Sequence, residues 1–147
     1  MIQKTRREKI EKSITCYKVL KKVNFGGIVS YYSPDAPILE FKYPEHRTVN
    51  GTFAKTDPNL VPKAIWDGLV YTPDGYLHAF LNKRDAKRLA DVRNFEASRR
   101  SYKCNKYVVC KMRIPTIAKY VHIGKAHYGR VAFDAIAARK MKLIKEL

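Results

Sequence analysis

Residues Tyr107–Ile114 alternate without a break, with Val108, Cys110, Met112 and Ile114 on one side and Tyr107, Val109, Lys111 and Arg113 on the other. A two-residue period with one apolar side is the signature of a half-buried β-strand. Pro115 follows at once and cannot donate to a strand ladder, so the element stops there. One such strand cannot stand alone, so the rest of the chain must supply a sheet. Thr15–Val23 has the same period: Tyr17, Val19, Lys21 and Val23 oppose Cys16, Lys18, Leu20 and Lys22. Asn24–Gly27 has turn chemistry and Ile28–Tyr32 returns as a second strand, which predicts a hairpin.

Further strands are weaker in pattern. Pro34 and Pro37 precede the apolar run Ile38–Tyr43, and Tyr76–Leu81 forms another after the turn dipeptide Asp74-Gly75. Between them Pro44–Lys63, with Pro44, Gly51, Pro58 and Pro62, reads as one long loop; the short run Leu69–Tyr71 follows Asp67-Gly68. Ala118–Ile123 is read as a strand closed by a turn at Gly124.

Two segments carry helical spacing. Asn82 is placed to cap a helix, and Asp85 supplies an acidic first turn. Ala86, Leu89, Ala90, Val92 and Phe95 then form an apolar face, with basic residues filling most of the rest up to Arg100. Val131–Lys145 reads as a final helix with Phe133, Ile136, Leu143 and Ile144 inward. The highly charged start, residues 1–14, is either a short helix or a basic arm. The expected fold class is therefore α+β: a single domain over 15–147, mostly antiparallel sheet, with a basic helix and a C-terminal helix packed on it.

Composition narrows the function. The chain of 147 residues is 46% hydrophobic, enough for one packed core and too much for a disordered segment. Three cysteines form no disulfide framework, which suggests a reducing compartment. Met1–Lys12 lacks the apolar core of a secretory signal, and no apolar run is long enough to span a bilayer. The expectation is a cytoplasmic protein that does not contact membrane.

The charge is the informative quantity. There are 30 Lys and Arg against 13 Asp and Glu, a formal net charge of +17, where solubility asks for only about 2–8. Residues 1–22 carry +6, residues 81–113 carry +8 and residues 114–147 carry +5, while residues 23–80 carry −2. An excess placed in this way attracts a polyanion. The candidate nucleic-acid contacts are Arg6 and Arg7 in the arm; Lys83, Arg84, Lys87, Arg88 and Arg93 on the basic helix; and Arg99, Arg100 and Lys103 at its end. Tyr102 and Tyr107 stand beside them as rings for stacking on bases or sugars. A solvated helix face and a frayed terminus are the competing readings of the same residues. Arg139, Lys140, Lys142 and Lys145 are explained first by the preference of a helix C-terminus for cations.

Signals for chemistry are thin. His122 and His127 have the spacing of a zinc half-site, but Cys104 and Cys110 do not complete it, so no metal or other cofactor is expected. No Cys–His pair has a nucleophile's local context, the carboxylates are scattered, and Gly26-Gly27 lacks the Lys-Ser/Thr of a phosphate loop. A binding role is preferred over an enzymatic one, and His78 is the residue an enzymatic reading would use. Three readings are carried: nucleic-acid binding, DNA or RNA, without strong sequence preference; inhibition of a host nucleic-acid-binding complex; and a small enzyme acting on nucleic acid or nucleotides.

Three pieces in order, Cys16-Tyr17-Lys18-Val19-Leu20-Lys21-Lys22, Gly75-Tyr76-Leu77-His78-Ala79-Phe80 leading into Ala86–Ala90, and Lys106–Pro115, resemble a group of small uncharacterised bacteriophage accessory proteins. The resemblance spans residues 15–123 and departs from the group in Pro44–Lys63 and in the basic ends. It implies no catalytic residues. Its implication is a context: the host cytoplasm, and a host factor, its nucleic acid or a defence complex as target.

Overall fold

The structure is a computed structural model, and it describes residues 6–33, 36–41, 48–50, 77–99, 105–128 and 131–147. In chain order the elements are β1 (Arg6–Lys9), β2 (Ile14–Phe25), β3 (Ile28–Ser33), β4 (Ala36–Phe41), β5 (Thr48–Asn50), β6 (Leu77–Phe80), α1 (Lys83–Arg99), β7 (Asn105–Ile114), a 3₁₀ turn (Thr116–Ala118), β8 (Tyr120–Tyr128), β9 (Val131–Ala138) and β10 (Lys140–Glu146). The strands make one sheet in the order β1-β8-β9-β6-β2-β7-β10-β5, and β3 and β4 extend from the far half of β2. Every recorded pairing is antiparallel.

The two alternating segments form the centre, as their pattern requires. β2 and β7 pair in unbroken register from Ile14↔Ile114 to Val23↔Asn105. One face of this pair, with Cys16, Leu20, Val108, Cys110, Met112 and Ile114, joins Leu77, Val121, Ile136, Met141 and Leu143 in the main core. The other face carries Val19 and Val109, and α1 covers it with Ala86, Leu89 and Ala90. Phe80 and Phe133 complete that second cluster edge to face, with ring centroids 5.6 Å apart.

α1 starts where the capping argument puts it: the Arg84 backbone N–H donates to Asn82 Oδ1 at 2.9 Å. Its buried face differs from the expected one. Val92 and Phe95 are exposed, and Arg93 and Asn94 take the half-buried positions instead. The reason lies on β7. Among the described residues β10 pairs with β7 only as far as Cys110, the Leu147 N–H donating to the Val109 carbonyl, and no strand pairs with the outer edge of Tyr107. Asn94 fills the gap: its amide nitrogen donates to the Tyr107 carbonyl and its amide oxygen accepts from the Tyr107 N–H, both at 2.8 Å. This clamp fixes the helix rotation and turns Phe95 outward.

The expected C-terminal helix is absent: residues 131–146 form the strands β9 and β10. β9 lies between β8 and β6 with both faces covered, Phe133 and Ala135 towards α1 and Ile136 and Ala138 towards the main core. A strand buried on both sides loses its alternation and reads as a continuous apolar run, which its alanines made helix-like. The argument that cations gather at a helix C-terminus falls with it. Within the charged start, Arg6–Lys9 is β1, paired with β8; residues 1–5 lie outside the described residues. Gly124 lies inside β8, which pairs with β9 from Val121↔Ala138 to Tyr128↔Val131. The Pro44–Lys63 loop contains β5, which pairs with β10; its remainder and Leu69–Tyr71 lie outside the described residues.

Candidate nucleic-acid interface

Strand parity sorts the cations. Paired residues in neighbouring strands share a face, and residues two apart along a strand share it too. Val109 faces α1, so Lys111 and Arg113 fall on the helix side of the sheet, beyond the N-terminal half of the helix. Their partners on β10 are also cations: Lys145 pairs with Lys111 and Lys142 with Arg113. Leu143 points into the main core, which puts Lys142 on the helix side, and a register shift between Leu143 and Lys145 then brings Lys145 opposite Lys111. Side chains directly opposite are about 5 Å apart at Cβ, and like charges there destabilise a sheet. Among the described residues, no carboxylate forms an ion pair with any of these four cations.

The helix continues this surface. Lys83, Arg84, Lys87 and Arg88 are all exposed, and among the described residues none of them is in an ion pair. A groove of about 410 Å³ runs between α1 and the edge of β7, bounded by Lys83, Lys87, Asp91 and Asn94 on one side and Lys106, Tyr107 and Glu146 on the other. Arg93 lies over the Tyr107 ring at 5.7 Å, so Tyr107 is half-buried under a guanidinium and offers its edge to the groove. Arg99 ends α1; Arg100, Tyr102 and Lys103 lie outside the described residues.

The two cations of the N-terminal strand divide between the faces. Arg7 pairs with His122 and lies over the Tyr120 ring at 3.9 Å, which sets it on the helix side. Arg6 pairs with Ile123, a residue of the main-core side, and its guanidinium is held by Glu8 at 2.7 Å. Burial and the neighbouring Arg7 both hold the His122 imidazole below its ordinary pKa, so it is neutral at pH 7. His122 and His127 both lie on β8, five residues apart, a backbone rise of about 16 Å. Among the described residues there is no group of three or more metal-ligating side chains.

Of the residues weighed for catalysis, His78, Cys16 and Cys110 are buried. His78 is inside, and its backbone carbonyl accepts a 2.6 Å hydrogen bond from the ammonium of Lys18. Lys18 is itself only 3% exposed, on the face that holds Cys16 and Leu20; the alternation put it on that face, and its charge hid the burial. Desolvation pushes the thiols of Cys16 and Cys110 up to about 12, so both stay protonated and non-nucleophilic. Burial alone would raise the pKa of Glu146. Hydrogen bonds from Lys22 and Tyr31, with the charges of Lys22 and Lys106, outweigh burial and hold it below 4.5.

Sequence reasoning missed the pairs Lys111–Lys145 and Arg113–Lys142, because it had placed residues 131–145 in a helix. Comparison with family models, with curated proteins and with solved structures returns no match. Among the described residues, no helix is long and apolar enough to cross a membrane.

Proposed function

We propose that the protein binds nucleic acid through its phosphate backbone, without strong sequence preference, on the side of the sheet that carries α1. The observation behind this reading is the double cross-strand pairing of cation with cation, Lys111 with Lys145 and Arg113 with Lys142. A sheet gains nothing from such pairs and loses up to about 1 kcal/mol at each. Solvation of a basic face explains scattered lysines, but it gives no reason to set them opposite one another across two strands while acidic partners are scarce. A line of phosphates supplies the missing counter-charge. The exposed cations at the start of α1 extend the same surface, and Tyr107 stands at its groove.

The reading ties stability to binding with opposite signs. Replacing Lys142 and Lys145 together by glutamine is expected to leave the urea midpoint unchanged or raise it, by at most about 2 kcal/mol for the two pairs. The same double variant is expected to bind a fluorescent duplex or single strand at least about tenfold more weakly at low salt. Equal binding by the variant and the parent protein overturns the reading, as does failure of the parent to bind DNA or RNA at low salt.

A further inference from the structure

The hairpin of β2 and β3 reaches past the sheet. Pairing of β2 with β7 ends at Val23↔Asn105, while pairing with β3 continues through Asn24↔Val29 to Phe25↔Ile28. Gly26 and Gly27 close the tip with φ of 59° and 85°, a two-residue turn of the type that suits a twisted hairpin. Phe25 is 83% exposed and Ile28 72%. They are the cross-strand pair next to the turn, so their side chains lie together on one face. β2 keeps its register from Ile14 to Phe25 without a bulge, and parity therefore carries from Val19, under α1, through Lys21 and Val23 to Phe25. By parity the apolar tip and the cation pairs of β7 and β10 belong to the same face of the twisted sheet.

Their separation is set by the strand. The row of Thr15 and Arg113 is ten residues from Phe25, about 33 Å at the usual strand rise. One turn of B-form DNA is about 34–36 Å. Resting on the nucleic-acid reading above, we infer that the preferred ligand is duplex DNA, gripped by the Arg113–Lys142 and Lys111–Lys145 pairs and kinked one turn away by Phe25 and Ile28 entering its minor groove as an apolar wedge. Apolar side chains that part a base step bend duplexes by about 20–90°. A flat bilayer is the other surface an apolar tip can enter, but contact at the tip leaves the two cation pairs about 26 and 33 Å away along the strand, without a counter-charge.

The test uses the full chain and a duplex of about three turns, labelled at both ends for energy transfer and carrying 2-aminopurine at a central step. The parent protein is expected to raise transfer between the ends and to brighten the 2-aminopurine as the step unstacks. Phe25→Ser with Ile28→Ser alters only exposed side chains. This variant is expected to bind about tenfold more weakly, a loss of about 1.4 kcal/mol, and to give neither optical change at saturating protein. Bending by the variant equal to that of the parent overturns the wedge. So does tight binding by the parent with no bending, which leaves the nucleic-acid reading standing. Absence of any DNA binding removes both. Flotation with phosphatidylserine vesicles that depends on Phe25 and Ile28, without DNA bending, assigns the tip to lipid and also overturns the inference.

Discussion

Asn94 gives the edge of β7 what a neighbouring strand would give, one donor and one acceptor to the backbone of Tyr107. Leucine there would keep the volume and leave two partly buried backbone groups without partners. Asn94→Leu is expected to lower stability by about 2 kcal/mol, read as a reduced urea midpoint at unchanged slope. Nothing in the helical period announces this role, because a polar residue at that position reads as a solvated one. Of the cysteines, Cys110 was legible, since it falls on the apolar side of an alternating strand; Cys16 shares its side with Lys18 and Lys22, and its burial was not. With their thiols near 12, neither should take up iodoacetamide in the native protein at pH 8, and peptide mapping would show both unlabelled until the chain is unfolded. Glu146 provides a pH signature. Its carboxyl is held below 4.5, so its contribution is complete above that value and is lost as pH falls through the lowered one. Glu146→Gln should flatten the acid side of the stability profile, by no more than about 1 kcal/mol because the pair with Lys22 is partly solvated.

At the scale of elements, the sequence revealed most where polar side chains interrupt the apolar ones at every second position, as Lys111 and Arg113 do on β7 although α1 covers part of that face. β2, β3 and β7 were readable for that reason, and the start of α1 from its cap. β9 was not, because it is covered on both faces, and β10 was absorbed into the same apparent helix. The cost of that error was functional: Lys142 and Lys145 looked like the ordinary cations of a helix end, and only the strand register sets them opposite Lys111 and Arg113. The basic helix was visible at once, yet its clamp to Tyr107 turns Arg93 inward and Phe95 outward. The hairpin tip is the element whose shape depends most on single residues. A Cβ at Gly27 meets nothing within 4 Å, so Gly27→Val carries a purely backbone penalty at positive φ. It should cost about 1–2 kcal/mol in a melt, and it should weaken DNA bending more than DNA binding.

For the whole molecule, the +17 predicted from composition an attraction without a place. The fold organises part of that charge on the helix side of one antiparallel sheet: the pairs across β7 and β10, the first turns of α1, and Arg7, which lies about three strand spacings, roughly 14 Å, beyond β6. Arg6 faces the other way, although it is adjacent in sequence. If Arg7 engages phosphate when DNA binds, the neighbouring His122 loses part of the positive field that depresses its pKa. Its NMR titration midpoint should then move up in the complex and stay where it is in an Arg7→Gln variant. The central claim is that the paired cations exist to meet phosphates, and the salt dependence of binding tests it most directly. For each phosphate contact removed, the slope of log K against log salt should fall by about 0.9. The variant Lys111→Gln, Arg113→Gln, Lys142→Gln, Lys145→Gln should therefore bind with a slope shallower by about three to four while remaining folded. A slope equal to that of the parent protein would contradict the account.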